Sequence, residues 1–283
     1  MKIFCTNLLN VAQKNAVRSL EEACRAHDGV HNIAFLSNEI NFDTAAPCFF
    51  LGYEKETPVG FLTLFMPTRE EAEITAFVLP SARRKGYFAA LVSAAKQELK
   101  ARGIARVLFC VENTSADGCA CAQSLSLHTP HHSEYRMSTT CVPSFISSAA
   151  PEWQRVTPHN FDTYKTLVCG ITPELAENES FLQAVLTDPA RAAYIGFCAN
   201  TPAVSFALNR ENAESFLYCV GVGEAFRRRG LCKAAVQFAA TQSLQNTPRM
   251  VLDVDSENPP ALAAYRACGL QTDFRTDYYS LEI

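Results

Sequence analysis

Val220-Gly221-Val222-Gly223-Glu224-Ala225-Phe226-Arg227-Arg228-Arg229-Gly230-Leu231-Cys232-Lys233 joins a short apolar run to an alanine-rich segment through three arginines and a glycine. The apolar run from Phe216 to Val222 reads as a strand, and Leu231 to Leu244 as a helix. Strand, basic glycine turn, helix is an order that sets unpaired backbone N–H groups and a helix dipole before an anion. Arginines add charge-assisted hydrogen bonds to the same anion. An ordinary βα turn with a solvated basic patch would give the same stretch, so the rest of the chain has to decide.

The stretch has an echo. Gly86 and Gly230 are 144 positions apart, as are Arg83 and Arg227, and Val78 and Val222. In each half two strand-like runs precede the basic turn: Cys48–Tyr53 with Val59–Phe65, and Ala193–Ala199 with Ala203–Asn209, the second pair turning across Asn200-Thr201-Pro202. Ile74–Leu79 is the strand before the first turn. A helix and an apolar strand follow each turn, Tyr87–Ala101 with Val107–Val111, and Leu231–Leu244 with Met250–Val254. Duplication of one α/β domain explains this spacing. Three further helices are read at Val11–Ala26, capped by Asn10, at Asn160–Cys169 and at Pro173–Leu186. The closing elements are a helix from Pro260 to Cys268 and a strand from Tyr278 to Ile283. Glu134–Val142 is a strand, whereas Glu112–Ser133 is polar and aperiodic. Pro143 to Pro151, small and polar between prolines, reads as a linker. The expected domains are 1–142 and 153–283, with the linker at 143–152.

Composition bounds the partners. The 283 residues are 48% hydrophobic and 19% charged, with a net charge of −4, which fits two globular domains. A mildly acidic chain is not expected to bind nucleic acid generally. No segment approaches the roughly 18 apolar residues of a membrane span, and the N-terminus lacks a secretory apolar core. The twelve cysteines sit singly in apolar runs, as small hydrophobes do. A soluble cytoplasmic protein with reduced thiols is the expectation. Cys119, Cys121, His128, His131 and His132 share one segment, but their spacing is not that of a standard zinc site, and no metal is expected. Cys232 beside the arginines reads as a packing residue or as a low-pKa thiol.

These residues resemble the GNAT family of acyl-CoA-dependent N-acyltransferases, and the chain resembles a tandem GNAT protein. The family pattern is a strand, then Arg/Gln-x-x-Gly-x-Gly/Ala opening a helix. It is met by Arg227-Arg228-Arg229-Gly230-Leu231-Cys232 and, less well, by Arg83-Arg84-Lys85-Gly86-Tyr87-Phe88. Asn258-Pro259-Pro260-Ala261-Leu262-Ala263-Ala264-Tyr265-Arg266-Ala267-Cys268-Gly269-Leu270 is similar to the family's N-x-x-A-x-x-x-Y-x-x-x-G-F element. The resemblance implies two acyl-CoA N-acyltransferase domains, each with a mixed central sheet flanked by helices. It implies transfer of an acetyl group from acetyl-CoA to a primary amine of a small molecule or peptide, without a metal.

Carried onto this sequence, Arg227, Arg228, Arg229, Gly230, Leu231, Cys232 and Lys233 would cradle the CoA pyrophosphate. Backbone near Val220 and Val222 would polarise the thioester carbonyl, and Asn258 would contact CoA or only cap its helix. Tyr265 would protonate the departing thiolate as a general acid; a core aromatic on that helix face is the alternative. Asp253, Asp255, Glu214 and Glu224 lie near the expected cleft, and none stands out as a general base. Glu224 replaces the family's proline, and Cys232 its small residue. Phe88 is large at the matching position of the first half, which also has no tyrosine in register, so the first domain is expected to be degenerate. A non-catalytic acyl-CoA-binding sensor is the other reading, and the acceptor and oligomeric state stay open.

Overall fold

The computed structural model describes residues 2–144, 150–211 and 213–283, apart from the side chains of Glu174 and Glu177. Half of the expected linker at 143–152, residues 145–149, lies outside the described residues. The chain forms two compact units, Met1–Ser133 with Phe274–Ile283, and Glu134–Asp273. The sequence boundaries at 142 and 153 therefore differ from the contact boundaries at two strands. Glu134–Thr139 belongs to the second unit and the chain's last ten residues to the first.

The first unit has strands β1 (Lys2–Thr6), β2 (Phe49–Glu54), β3 (Thr57–Phe65), β4 (Glu71–Val78) and β5 (Arg106–Glu112) in sequence order. The neighbour of β5 on its other side is the Thr276–Glu282 part of the last strand, antiparallel to it. Phe61, Leu62 and Leu64 of β3 are all buried; successive residues point to opposite faces, so both faces are covered. The cover comes from α1 (Val11–Asp28), α2 (Tyr87–Ala101) and α3 (Ala116–Ser124). The Asn10 carbonyl side chain accepts from Gln13 N, while Gln13 accepts from Asn10 N, closing a capping box. Gly29 ends α1 at φ 67°, a conformation glycine adopts without a Cβ clash. Two of these elements, β1 and α3, are absent from the sequence expectation. β1 is half polar and short, and α3 is rich in small residues with no apolar stripe. Its start is fixed locally by the Ser115 hydroxyl, which accepts from Gly118 N.

The second unit has β6 (His132–Thr139, from Glu134 on), β7 (Glu152–Arg155), β8 (Arg191–Cys198), β9 (Thr201–Glu211), β10 (Glu214–Val222) and β11 (Arg249–Asp255). Their order across the sheet is β6-β11-β10-β9-β8-β7. Among the described residues of this unit, only β10 and β11 run parallel. Helices α4 (Phe161–Ile171), α5 (Glu179–Thr187), α6 (Leu231–Ser243) and α7 (Pro259–Ala267) complete it. Ala235, Ala239 and Ala240 on α6 are fully buried, so small side chains let that helix lie close on the sheet. Trp153 anchors the short edge strand β7, stacked on Phe238 at 4.9 Å and edge-on to Phe206 at 5.3 Å.

Three boundaries depart from the sequence reading. Pro173–Leu186 is a 3₁₀ turn, Pro173–Glu177, followed by α5, because the chain breaks at Asn178. The β8–β9 turn sits on Ala199 and Asn200, both at positive φ, and Pro202 lies inside β9, a hairpin geometry asparagine tolerates. The last strand, β12 (Gln271–Glu282), starts seven residues earlier than expected.

Candidate functional site

In the second unit the parallel pair lasts three residues. Glu214, Ser215 and Phe216 of β10 face Arg249, Met250 and Val251 of β11. β10 then continues to Val222 and β11 to Asp255 with no further pairing between them. The strands splay, and the edge of β10 toward β11 opens on a cleft. On its other edge β10 shifts register against β9 between Tyr218 and Gly221, with Cys219 at φ 50°. This bulge turns the backbone at the cleft, and a β-turned, non-glycine positive φ of this kind is held only by surrounding packing. Val220 and Val222, on either side of Gly221, pack partly into the core below.

β10 leads into the basic turn. After a 3₁₀ turn at Glu224–Phe226, Arg227 is extended, Arg228 sits at φ 63° and Gly230 at φ 81°. No side chain caps α6. Among the described residues, the N–H groups of Arg228, Arg229, Gly230, Leu231, Cys232 and Lys233 meet no acceptor. Six consecutive unspent donors at a helix N-terminus form a concave anion cradle. Arg227, Arg228 and Arg229 are exposed and have no carboxylate partner among the described residues. Arg229 folds back over Phe226 at 5.4 Å and donates to the Ala225 carbonyl at 2.9 Å. Arg227 Nε reaches the Val222 carbonyl at 3.4 Å.

Across the cleft, β11 ends in a turn in which the Asp255 carboxylate accepts from Glu257 N at 2.7 Å. Asn258 follows and caps α7, accepting from Ala261 N at 3.2 Å. That cap sets the phase of α7, so that Tyr265, two turns on, points inward and is 7% exposed. Burial pushes its phenol well above the usual value, and the neighbouring thiols of Cys232 and Cys268 push in the same direction. Tyr265 thus stands beside the second residue of α6, next to the cradle, and stays protonated at any physiological pH. Its hydroxyl makes no hydrogen bond among the described residues. The low-pKa reading of Cys232 is overturned, because burial raises the thiol to about 11. At that value it is a packing residue.

The carboxylates near the cleft are mostly engaged. Asp253 binds Arg136 through both oxygens, at 2.6 and 2.9 Å. Glu214 pairs with Arg249 at 3.2 Å, Asp255 holds its own turn, and Glu224 lies on the exposed 3₁₀ turn. Geometry selects no general base from these four. Among the described residues there is no group of three or more His, Cys, Asp or Glu side chains placed to hold a metal. Cys119 and Cys121 are on α3, and His132 stacks on Tyr278 at 4.4 Å. No helix among them is long and apolar enough to cross a membrane.

The first unit has the same arrangement, β4 and β5 pairing in parallel only over Glu71–Ile74 and Arg106–Phe109 ahead of α2, which no side chain caps among the described residues. A parallel pair that splays beside an uncapped helix N-terminus, once in each unit, defines an acyltransferase-type fold in tandem. The sequence matches the acetyltransferase (GNAT) family over residues 16–125 and again over 143–270, and the chain belongs to that family. Similar solved structures include a tandem GNAT protein from the clavulanic acid biosynthesis pathway, with TM-score 0.72, 15% identity, and 99% of this chain and 98% of that one covered. A GCN5-related N-acetyltransferase from Sphaerobacter thermophilus gives 0.71 and 15%, over 99% and 95%. A GNAT-family acetyltransferase from Colwellia psychrerythraea gives 0.65 and 14%, over 99% and 100%. Those likenesses speak to the fold. No curated protein matches in sequence. Family and fold support acyl transfer by an N-acetyltransferase-type enzyme.

Proposed function

We propose that the second unit transfers an acetyl group from acetyl-CoA to a primary amine, with Tyr265 as general acid. The observation that carries this is the meeting of three features at one cleft: the cradle, the opened edge of β10, and a buried protonated phenol beside Cys232. The residues fit the ligand. Six free N–H groups and unpaired arginines suit a pyrophosphate, and Cys232 is small where the ligand must pass close to α6. Acetyl-CoA would supply the acetyl group as a thioester; the amine nitrogen would attack the carbonyl carbon, the carbon–nitrogen bond forming and the carbon–sulfur bond breaking, to give an amide and CoA as the thiol.

The chain's own contributions follow. Arg228 to Lys233 hold the phosphates by backbone donors and charge. Backbone at Val220 to Val222, redirected by the bulge, offers a fixed donor to oxygen where negative charge develops. Tyr265 gives its proton to the sulfur as the carbon–sulfur bond breaks, and the raised pKa guarantees that the proton is present to give. Solvent takes the proton lost by the amine. The acceptor is a small molecule or peptide, and the chain is read as cytoplasmic.

Against this stands a non-catalytic acyl-CoA-binding module, which would share the cradle but have no use for the phenol. An acetyl-CoA consumption screen over amino acids, polyamines, aminoglycosides and peptide N-termini tests the choice. Turnover with at least one amine class is expected; tight CoA binding with no turnover would favour the sensor.

A further inference from the structure

The fold family implies a CoA cleft in each unit, and the first unit repeats the cradle's backbone. Leu79, Arg83, Arg84 and Gly86 match Gly223, Arg227, Arg228 and Gly230, with φ 63° at both Arg84 and Arg228 and 81° at both glycines. β4 and β5 also pair only from Glu71–Ile74 to Arg106–Phe109 before separating.

The side chains around it do not fit CoA. Arg83, the counterpart of the unpaired Arg227, donates to the Val78 carbonyl at 3.0 Å, to Asp28 at 2.7 and 2.6 Å, and to Asp117 at 2.6 Å. Val78 ends β4, Asp117 opens the helix after β5, and Asp28 ends α1. One guanidinium therefore ties together the elements on either side of the cleft mouth. It also fixes two carboxylates beside the turn that would have to receive phosphate, where like charges are costly. Phe88 stands where the second unit has Cys232, and its ring lies 6.2 Å from that of Phe109, the last residue of β5 paired with β4. Arg83, Phe88 and Asp117 themselves line a cavity of about 650 Å3 that extends to Phe109, Ala122 and Leu125. Counted from the helix caps, Ala122 on α3 takes the place of Tyr265 on α7. β4 pairs with β3 without any register shift, so the bulge is missing too.

We propose that the first unit is a latched cleft that excludes CoA: the carboxylates that Arg83 holds, Asp28 and Asp117, oppose phosphate at the turn, Phe88 narrows the passage beside α2, and the chain binds one CoA, at the second unit. The count of one rests on the reading under Proposed function; the latch does not. Arg84 and Lys85 are exposed and the N–H groups of 84–89 meet no acceptor among the described residues, so releasing the latch and trimming the ring leaves a usable cradle.

Calorimetric titration of the full chain with CoA reads both parts. Wild type is expected to bind one CoA per chain, and Phe88→Ala/Asp117→Asn two, the second within about 100-fold of the first in affinity. Asp117→Asn alone, on a side chain 65% exposed, keeps the test open if the double variant misfolds, and a weak second binding event is expected there. Two CoA per chain in wild type would overturn the proposal. So would latch variants, folded by circular dichroism, that gain none. Wild type binding no CoA would instead overturn the assignment of the second unit, while the latch variants must still gain one.

Discussion

Replacing Tyr265 by Phe removes one oxygen from the second unit. The hydroxyl makes no hydrogen bond among the described residues and the ring is 7% exposed, so the ring's packing survives and no partner is orphaned. Stability should change by less than about 1 kcal/mol, and the midpoint of thermal unfolding should hold within a few degrees. The effect on chemistry is of a different size. A positioned proton donor contributes roughly 10²- to 10⁴-fold, or about 3 to 5 kcal/mol at the transition state. On the proposed reading the phosphate contacts of acetyl-CoA fall on Arg228–Lys233 and not on the phenol, so its dissociation constant should not move. The assay is steady-state acetyl-CoA consumption with a validated amine acceptor, beside calorimetric binding of CoA to the same variant. Because burial holds the phenol well above its ordinary value, wild type should show no loss of kcat from Tyr265 ionisation up to about pH 9. A Tyr265→Phe enzyme within threefold of wild-type kcat would refute the general-acid role and leave the residue a core aromatic.

Gly221 is buried with Ile171 of α4 against it, and a Cβ there would meet two Ile171 carbons at 2.9 Å. Gly221→Ala should therefore cost about 1–3 kcal/mol, read as a lower denaturation midpoint; an unchanged midpoint would mean that α4 shifts freely off β10. In the first unit the Arg83 hydrogen bonds hold the Asp28 carboxyl below its ordinary value. A lowered folded value contributes stability that is full above the unfolded pKa, near about 4, and is lost as pH falls through the folded one. The stability gap between wild type and Asp28→Asn should accordingly be constant near neutral pH and shrink below about pH 4; a gap that widens on acidification would contradict the ion pair.

How much of this was legible in the chain follows from what each feature depends on. The duplication and the glycine turns were readable because Gly86 and Gly230 mark backbone that only a few residues adopt, and because their spacing repeats. The caps at Asn10 and Asn258 were readable from local residue type alone. The bulge at Cys219 was not, since its positive φ sits on a residue with no preference for it and is imposed by packing against β9. The Arg83 latch was hidden for a different reason. Asp28 and Asp117 are 55 and 34 positions away, and only the fold brings them to the turn. Helix α3 escaped because its small residues carry no apolar period, and β12 was read short because its first half alternates polar residues on an exposed stretch. Tyr265 could be proposed from its motif, but its neighbourhood with Cys232 required the packing of α7 on α6.

The central claim is that one of two backbone-identical turns receives the phosphates. Amide chemical shifts of the full chain, followed by nitrogen–proton correlation spectra as CoA is added, test it residue by residue. The largest changes are expected at Arg228, Arg229, Gly230, Leu231, Cys232 and Lys233, with a second group at Cys219 to Val222 and none at 84–89. Changes centred on 84–89, with the second turn silent, would contradict the account.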